Sequence, residues 1–162
     1  MLNILNRAEE VLPLLIKERA TWHSVFVDYE QPFVERLWRE WGEYRLYLHR
    51  IHPCAADVAL FHPHPWPSAM KVLSGSYEMG VGYGSGETVP PVAATVILNS
   101  GARYEMVHPD AWHSVRPREA PSLSLMVTGT PWLRWSPKSQ RKLRVLTTAE
   151  EQQLFVDVEH VL

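Results

Sequence analysis

The sequence predicts an antiparallel all-β domain flanked by helices. Three observations carry that expectation. From Tyr44 onward the chain breaks into short segments rich in Val, Leu, Tyr and Thr: YRLYLHRIH, ADVALFH, AMKVLSG, YEMGVGY, VAATVILNSG, RYEMVHP, WHSVRP, SLSLMVTG and WLRW. Gly, Pro, Asn and Ser separate them, the residues that supply turn geometry. The intervals are too short to hold helices, so the strands must pair antiparallel and close as a sandwich, a jelly roll or a small barrel.

The flanks read differently. From Asn3 to about Thr21, Ile4, Leu5, Ala8, Val11, Leu12, Leu15 and Ile16 recur at helical spacing opposite Glu9, Glu10, Lys17 and Glu18. That pattern predicts an amphipathic helix packed on the sheet, kinked or broken at Pro13, which has no N–H to give. A second helix is predicted from Gln31 to Trp41, with Pro32 in its first turn and Phe33, Leu37, Trp38 and Trp41 on its apolar face. Residues 1–42 thus read as a helical extension, 43–136 as the β portion and 137–162 as a C-terminal segment, all in one domain. Within the β portion, GYGSGETVPP (Gly82–Pro91) is the longest irregular connection. Its glycines precede a strand rather than a helix, so a mobile hairpin loop is expected and not a phosphate cradle. Lys138, Arg141, Lys142 and Arg144 form a solvated basic stretch, and Thr147 or Thr148 caps a last helix, TAEEQQLFVDVEHVL, with acids in its first turn.

Composition narrows the function classes. A chain of 162 residues fits one domain and buries roughly two-thirds of its unfolded surface. A net charge of −2 gives no footing for nucleic acid or an anionic membrane. The N-terminal apolar run VLPLLI is too short to span a bilayer, and Glu9 and Glu10 stand where a signal peptide would be basic, so a cytoplasmic protein is expected. Cys54 is the sole cysteine, which excludes an intrachain disulfide and suits a small buried side chain. The unusual counts are 7 Trp, 13 Pro and 8 His, which together suit a pocket that stacks and coordinates a ligand.

The chemistry concentrates in FHPHPWPSAMKVLSGSYEMG. Pro63, Pro65 and Pro67 each hold the preceding residue extended. Residues two apart on an extended chain point to one side, so the imidazoles of His62 and His64 project together. Neutral imidazole is a nitrogen ligand for Zn, Fe, Cu and Ni. The prolines also remove backbone donors, which places this run at a rim, where an open metal site belongs. A third ligand must come from elsewhere in the chain. His113 in VHPDAWHSVRP, after the turn signal Pro109–Asp110, is the first candidate, and His108 the alternative.

These residues resemble the cupin family. The first cupin motif, G-x5-H-x-H-x3–4-E-x6-G, is matched at His62, His64 and Gly75, the last within the turn Val72-Leu73-Ser74-Gly75. The second motif is matched loosely by GARYEMVHPDAWHSV, with Gly101 as its opening glycine and His113 at the metal position. The likeness spans about residues 44–128. It implies a jelly-roll barrel, a homodimer, and one divalent metal held by His62, His64 and His113. The chain departs from the motif where the usual glutamate ligand falls at Ser68 or Ala69, leaving three histidines and open positions. A cupin site of that kind resembles the thiol dioxygenases, and SAMKVLSG with the downstream HSV is similar to cysteine dioxygenase. The resemblance therefore implies an Fe(II) dioxygenase acting on a small organic molecule. The alternatives are a non-catalytic binding protein, and an isomerase or lyase of polar metabolites using Zn, Ni or Mn.

Three neutral ligands leave the ion's full charge in place, which favours an anionic substrate. Arg45, Arg50 and Arg103 are candidates to orient it, Tyr77 and Tyr104 to offer a hydroxyl, and Trp66 and Trp112 to wall the pocket. Ser68, Glu105 and His108 are candidates for a further ligand or for support behind the first three.

Overall fold

A computed structural model describes residues 1–85, 88–133 and 136–162. Helix α1 (Leu2–Leu15) leads through a 3-10 turn (Arg19–Thr21) into strands β1 (His23–Val27), β2 (Val34–Trp41), β3 (Tyr44–Ile51), β4 (His62–Pro63) and β5 (Ser68–Ser74). Then come β6 (Ser76–Tyr83), β7 (Ala94–Asn99), β8 (Arg103–Met106), β9 (Ala111–Arg116), β10 (Ser122–Thr128) and helix α2 (Thr148–Val161). The strands form two antiparallel sheets. One has six strands in the order β1-β2-β3-β10-β5-β8, the other four in the order β4-β9-β6-β7.

The six-stranded sheet is covered on both faces, and strand alternation divides the core between them. Leu37, Leu46, Leu48, Ala69, Leu125 and Val127 face the helices, packing with Leu5, Ala8 and Leu12 of α1 and with Leu154, Phe155 and Val158 of α2. Tyr47, Ile51, Met70, Val72 and Met126 face the opposite way and pack with Tyr77, Met79 and Val115 of the four-stranded sheet. This second layer is where the site lies. Every residue of β10, SLSLMVT, is buried, as a central strand between two layers requires.

The stretch 31–41 is the main departure from expectation: the predicted helix is strand β2. It pairs with β3 through a two-residue turn, Gly42–Glu43, where Trp41 lies opposite Tyr44 and Gly42 has φ +60°. Such a glycine-first turn matches the twist of a hairpin. Leu37 and Trp41 pack toward the helices and Val34 and Trp38 toward the other layer. Apolar residues on both faces erase the period of two and imitate a helical stripe. The segment 1–42 therefore supplies two strands of the larger sheet. Helix α1 also runs through Pro13 rather than breaking there. The proline stands in the last turn, so one missing hydrogen bond costs little. ADVALFH is irregular up to Phe61, apart from a bridge between Ala59 and Gln31. In WLRW, Trp132 and Leu133 are irregular and the rest lies outside the described residues, as do Gly86 and Glu87 of the expected mobile loop.

Thr147 is the cap of α2. Its hydroxyl accepts from the Glu150 backbone N–H at 3.3 Å and the Glu150 carboxylate accepts from the Thr147 N–H at 2.7 Å. Exchanging Thr147 for alanine is expected to lower stability by about 1 kcal/mol, measured by urea unfolding. No helix among the described residues is long and apolar enough to cross a membrane.

Candidate metal centre

His62 and His113 are brought together by strand register. Strand β4 pairs antiparallel with β9 so that His62 lies directly opposite His113. His64 follows two residues after His62 on the extended Pro-rich run, so its ring returns to the same side. Ring centroids lie 5.3 Å apart for His62 and His64, 5.0 Å for His62 and His113, and 4.6 Å for His64 and His113. One ring nitrogen from each falls within 4.8 Å of the other two, and among the described residues no carboxylate or thiol joins the cluster.

Each ring is held from behind. The Nδ1–H of His62 donates to the Leu60 carbonyl at 3.1 Å, and His64 Nδ1 shares a hydrogen bond with the Ser68 hydroxyl at 2.9 Å. Tyr104 O–H donates to Met70 Sδ at 3.2 Å, which leaves its oxygen to accept from His113 Nδ1–H at 3.4 Å. The Leu60 carbonyl can only accept, which assigns the His62 proton to Nδ1, whereas the Ser68 and Tyr104 hydroxyls can donate or accept; with a metal bound, all three rings would carry their proton on Nδ1. The Nε2 lone pairs then converge, with those of His64 and His113 only 3.0 Å apart. At that distance the two nitrogens can share a proton as an N–H···N hydrogen bond or present both lone pairs to a cation. Nitrogens bound ~2.1 Å from one ion at a right angle stand about 3.0 Å apart, so the donor set fits a divalent transition metal. Histidine ligands backed by oxygen partners are the usual form of such a site.

Electrostatics keep the rings neutral. Burial pushes the pKa of His64 and His113 well below the usual histidine range, and the neighbouring imidazoles push the same way. Burial also lowers His62, and the nearby Arg36 charge adds to this. The folded state therefore binds fewer protons than the unfolded chain below the unfolded histidine value of about 6.5. Stability contributed by these rings is complete above that pH and is lost as the pH falls through the lowered native values. The metal-free protein is expected to show a urea midpoint that drops between pH 7 and pH 5, and a shallower drop when His64 and His113 are replaced by glutamine, the remainder coming from the buried His62 and His49.

The cluster opens on a cavity of about 110 Å³, lined also by Arg36, His49, Met70 and Val115. Ser68 sits behind His64. Tyr77 O–H donates to Met70 Sδ at 3.1 Å, so Tyr77 and Tyr104 converge on one sulfur, and burial raises the pKa of both hydroxyls. Trp66 has its ring 6.4 Å from His64 but lines a different cavity with Tyr44, Arg45 and Tyr47. Trp112 is buried and its Nε1–H donates to the Gly84 carbonyl at 2.9 Å.

Several expected site residues lie elsewhere. Glu105 does not complete the ligand set, because it accepts from the N-terminal ammonium at 2.8 Å and from the Leu2 N–H at 2.9 Å, fixing the start of α1. Arg103 pairs with Glu9 of α1 at 2.7 Å. Arg50 faces the helices, paired with Glu35 and with Asp157 of α2. Arg45 lies over the Trp38 ring at 4.6 Å. His108 is exposed on the loop before β9, 3.0 Å from the Tyr83 hydroxyl. The arginine that does reach the cavity, Arg36, was hidden by reading β2 as a helix, and so was its partner His49 across the β2–β3 ladder.

Searches of family models and of curated proteins return no match. Solved structures do match. The hydroxypropylphosphonic acid epoxidase from S. wedmorenis superposes with a TM-score of 0.50 at 14% identity, covering 65% of this chain and 55% of that one. FeII HppE gives 0.51 at 14% identity with the same coverage. The fold is that of the cupins. KdgF from Halomonas sp. is a further match at TM-score 0.48 and 16% identity, over 70% of this chain and 88% of its own. The chain spans little more than half the length of the epoxidase structures, so the cupin fold is what the comparison establishes, and the chemistry has to come from the site.

Proposed function

We propose that this cupin is a metal-dependent enzyme acting on a small organic molecule, with one divalent ion held by His62, His64 and His113, and that it works as a homodimer. The observation that carries the reading is the convergence of three imidazoles, one ring nitrogen of each within 4.8 Å of the others and an oxygen partner on each Nδ1. The ion would supply positive charge, open coordination positions and, as Fe(II), the electron source for oxygen chemistry. Iron(II) is the first choice, the metal of the FeII HppE structure whose fold this chain shares, and dioxygenation is the reaction we favour.

The surrounding residues have definable tasks under this reading. Ser68, Leu60 and Tyr104 hold the ring planes and tautomers. Met70, Val115 and Met126 give the cavity apolar walls, which exclude water and strengthen electrostatic contacts inside. Neutral imidazoles leave room for an anionic substrate to balance the charge.

A broad panel of small thiols and chelating acids, offered to the iron-loaded protein in an oxygen electrode, is expected to contain a compound that drives oxygen uptake, abolished in His64→Ala. Uptake with no compound would remove the dioxygenase reading. Zinc, nickel or manganese in the protein purified without added metal would favour the isomerase or lyase alternative.

A further inference from the structure

We propose that strand β7 pairs with β7 of a second copy of this chain, antiparallel across a two-fold axis, so that two four-stranded sheets join into one. This surface rests on the homodimer reading above and says where that dimer closes.

Strand β7 is an edge of the four-stranded sheet, hydrogen-bonded to β6 on one side. Among the described residues, no backbone hydrogen bond ties 94–98 to any other segment. The other side of the strand is thus a row of free N–H and C=O groups, a template for a further strand. The side chains do nothing to defend it. From Val89 to Asn99 the chain reads VPPVAATVILN, without a charged residue. Leu98 packs into the core between the sheets, but Val92 is 52% exposed, Val96 39% and Ile97 53%, and Ala94 and Thr95 are exposed as well. Val96 and Ile97 point to opposite faces by strand alternation, so this edge is apolar and open on both.

The other three sheet edges are each blocked. On β1 the Phe26 N–H donates to the Arg144 carbonyl at 2.9 Å, so the C-terminal segment lies along that edge. Strand β4 is two residues long and sits in a run of prolines, which have no N–H to offer. Strand β8 has four residues, of which Arg103 pairs with Glu9 of α1 and Glu105 with the N-terminal ammonium. Short strands, prolines, charges and covering segments are the means by which proteins keep sheet edges from pairing. Along its six residues, β7 has none of them.

The occupant that fits is the same strand. An antiparallel two-fold sets an uncharged strand against itself, so no like charges meet, and two-fold pairs are the commonest closed assembly. A stable interface buries roughly 800 Å² per partner. Six residues do not supply that area, and the exposed Val89 and Val92 extend the apolar surface past the start of the strand.

The test is light scattering on the full chain after size exclusion, expected to give twice the mass of one chain. The middle of β7 falls at Val96–Ile97, beside the axis. Ile97→Lys and Ile97→Glu each bring like charges together there and should raise the dimer dissociation constant roughly 100-fold or more. Mixing the two variants should restore the dimer as a heterodimer, a recovery that a folding defect could not give. Hydrogen exchange at 94–99 should be slow in wild type and in the mixture, and fast in either variant by itself. A monomeric wild type overturns both the inference and the homodimer reading. A wild-type dimer that tolerates both substitutions overturns the inference and leaves the homodimer on another surface. Failure of the mixture to dimerise overturns the placement of Ile97 at the axis and with it the pairing of β7.

Discussion

Replacing His113 with alanine is expected to empty the metal centre. His113 is 2% exposed, lies opposite His62 in the β4–β9 pair and presents Nε2 within 3.0 Å of His64 Nε2. It is therefore the ligand shared between two neighbours, and two imidazoles alone hold a divalent ion far more weakly than three. Elemental analysis of the purified variant should fall from about one ion per chain to less than about a tenth. The fold should persist, because the truncation leaves the backbone pairing of β4 with β9 in place. Ser68→Ala is the graded control: it leaves the ligands and removes only the oxygen behind His64 Nδ1, so affinity should drop by about 10- to 100-fold. Full metal retention in His113→Ala would end the assignment.

How much of this was legible in the sequence varies with how local the determining physics is. The His62–His64 pairing follows from three prolines and the two-residue alternation, all within one short run. His113 was reachable through the turn signal before it and the second cupin motif. The cap of α2 needed only Thr147 and Glu150. By contrast, the burial face of β2 is decided by what lies on either side of it. Leu37 and Trp41 meet the helices while Val34 and Trp38 meet the second layer, and a strand apolar on both faces has lost the signal that distinguishes it. The Gly42 turn, WGEY, was the local clue that could have restored the hairpin and with it Arg36. Arg50, Arg103 and Glu105 show the same limit. Each sits on a strand, but whether it faces the cavity or the helices depends on partners far away in sequence: Asp157, Glu9 and the chain's own amino terminus.

Arg50→Met is expected to destabilise the fold strongly and leave the metal centre untouched. The Arg50 guanidinium bridges the Glu35 carboxylate on β2 and the Asp157 carboxylate on α2, so it ties the second helix to the sheet. Glu35 is only 6% exposed, and removing its cation leaves a desolvated carboxylate whose remaining partner is His52, 2.9 Å away. Breaking a buried pair costs roughly 3–5 kcal/mol; with His52 still able to donate, the low end, about 3 kcal/mol, is the expected loss. For a chain of this size that lowers Tm by roughly 10 °C. The double variant Glu35→Leu/Arg50→Met, which removes both charges, should recover much of the loss, because an apolar pair can replace a buried ion pair at little cost. Metal content should match wild type in both, since neither residue lines the histidine cavity. A variant with unchanged Tm but altered metal binding would instead put Arg50 at the cavity, and would overturn the division of the sheet into a helix-facing side and a cavity-facing side.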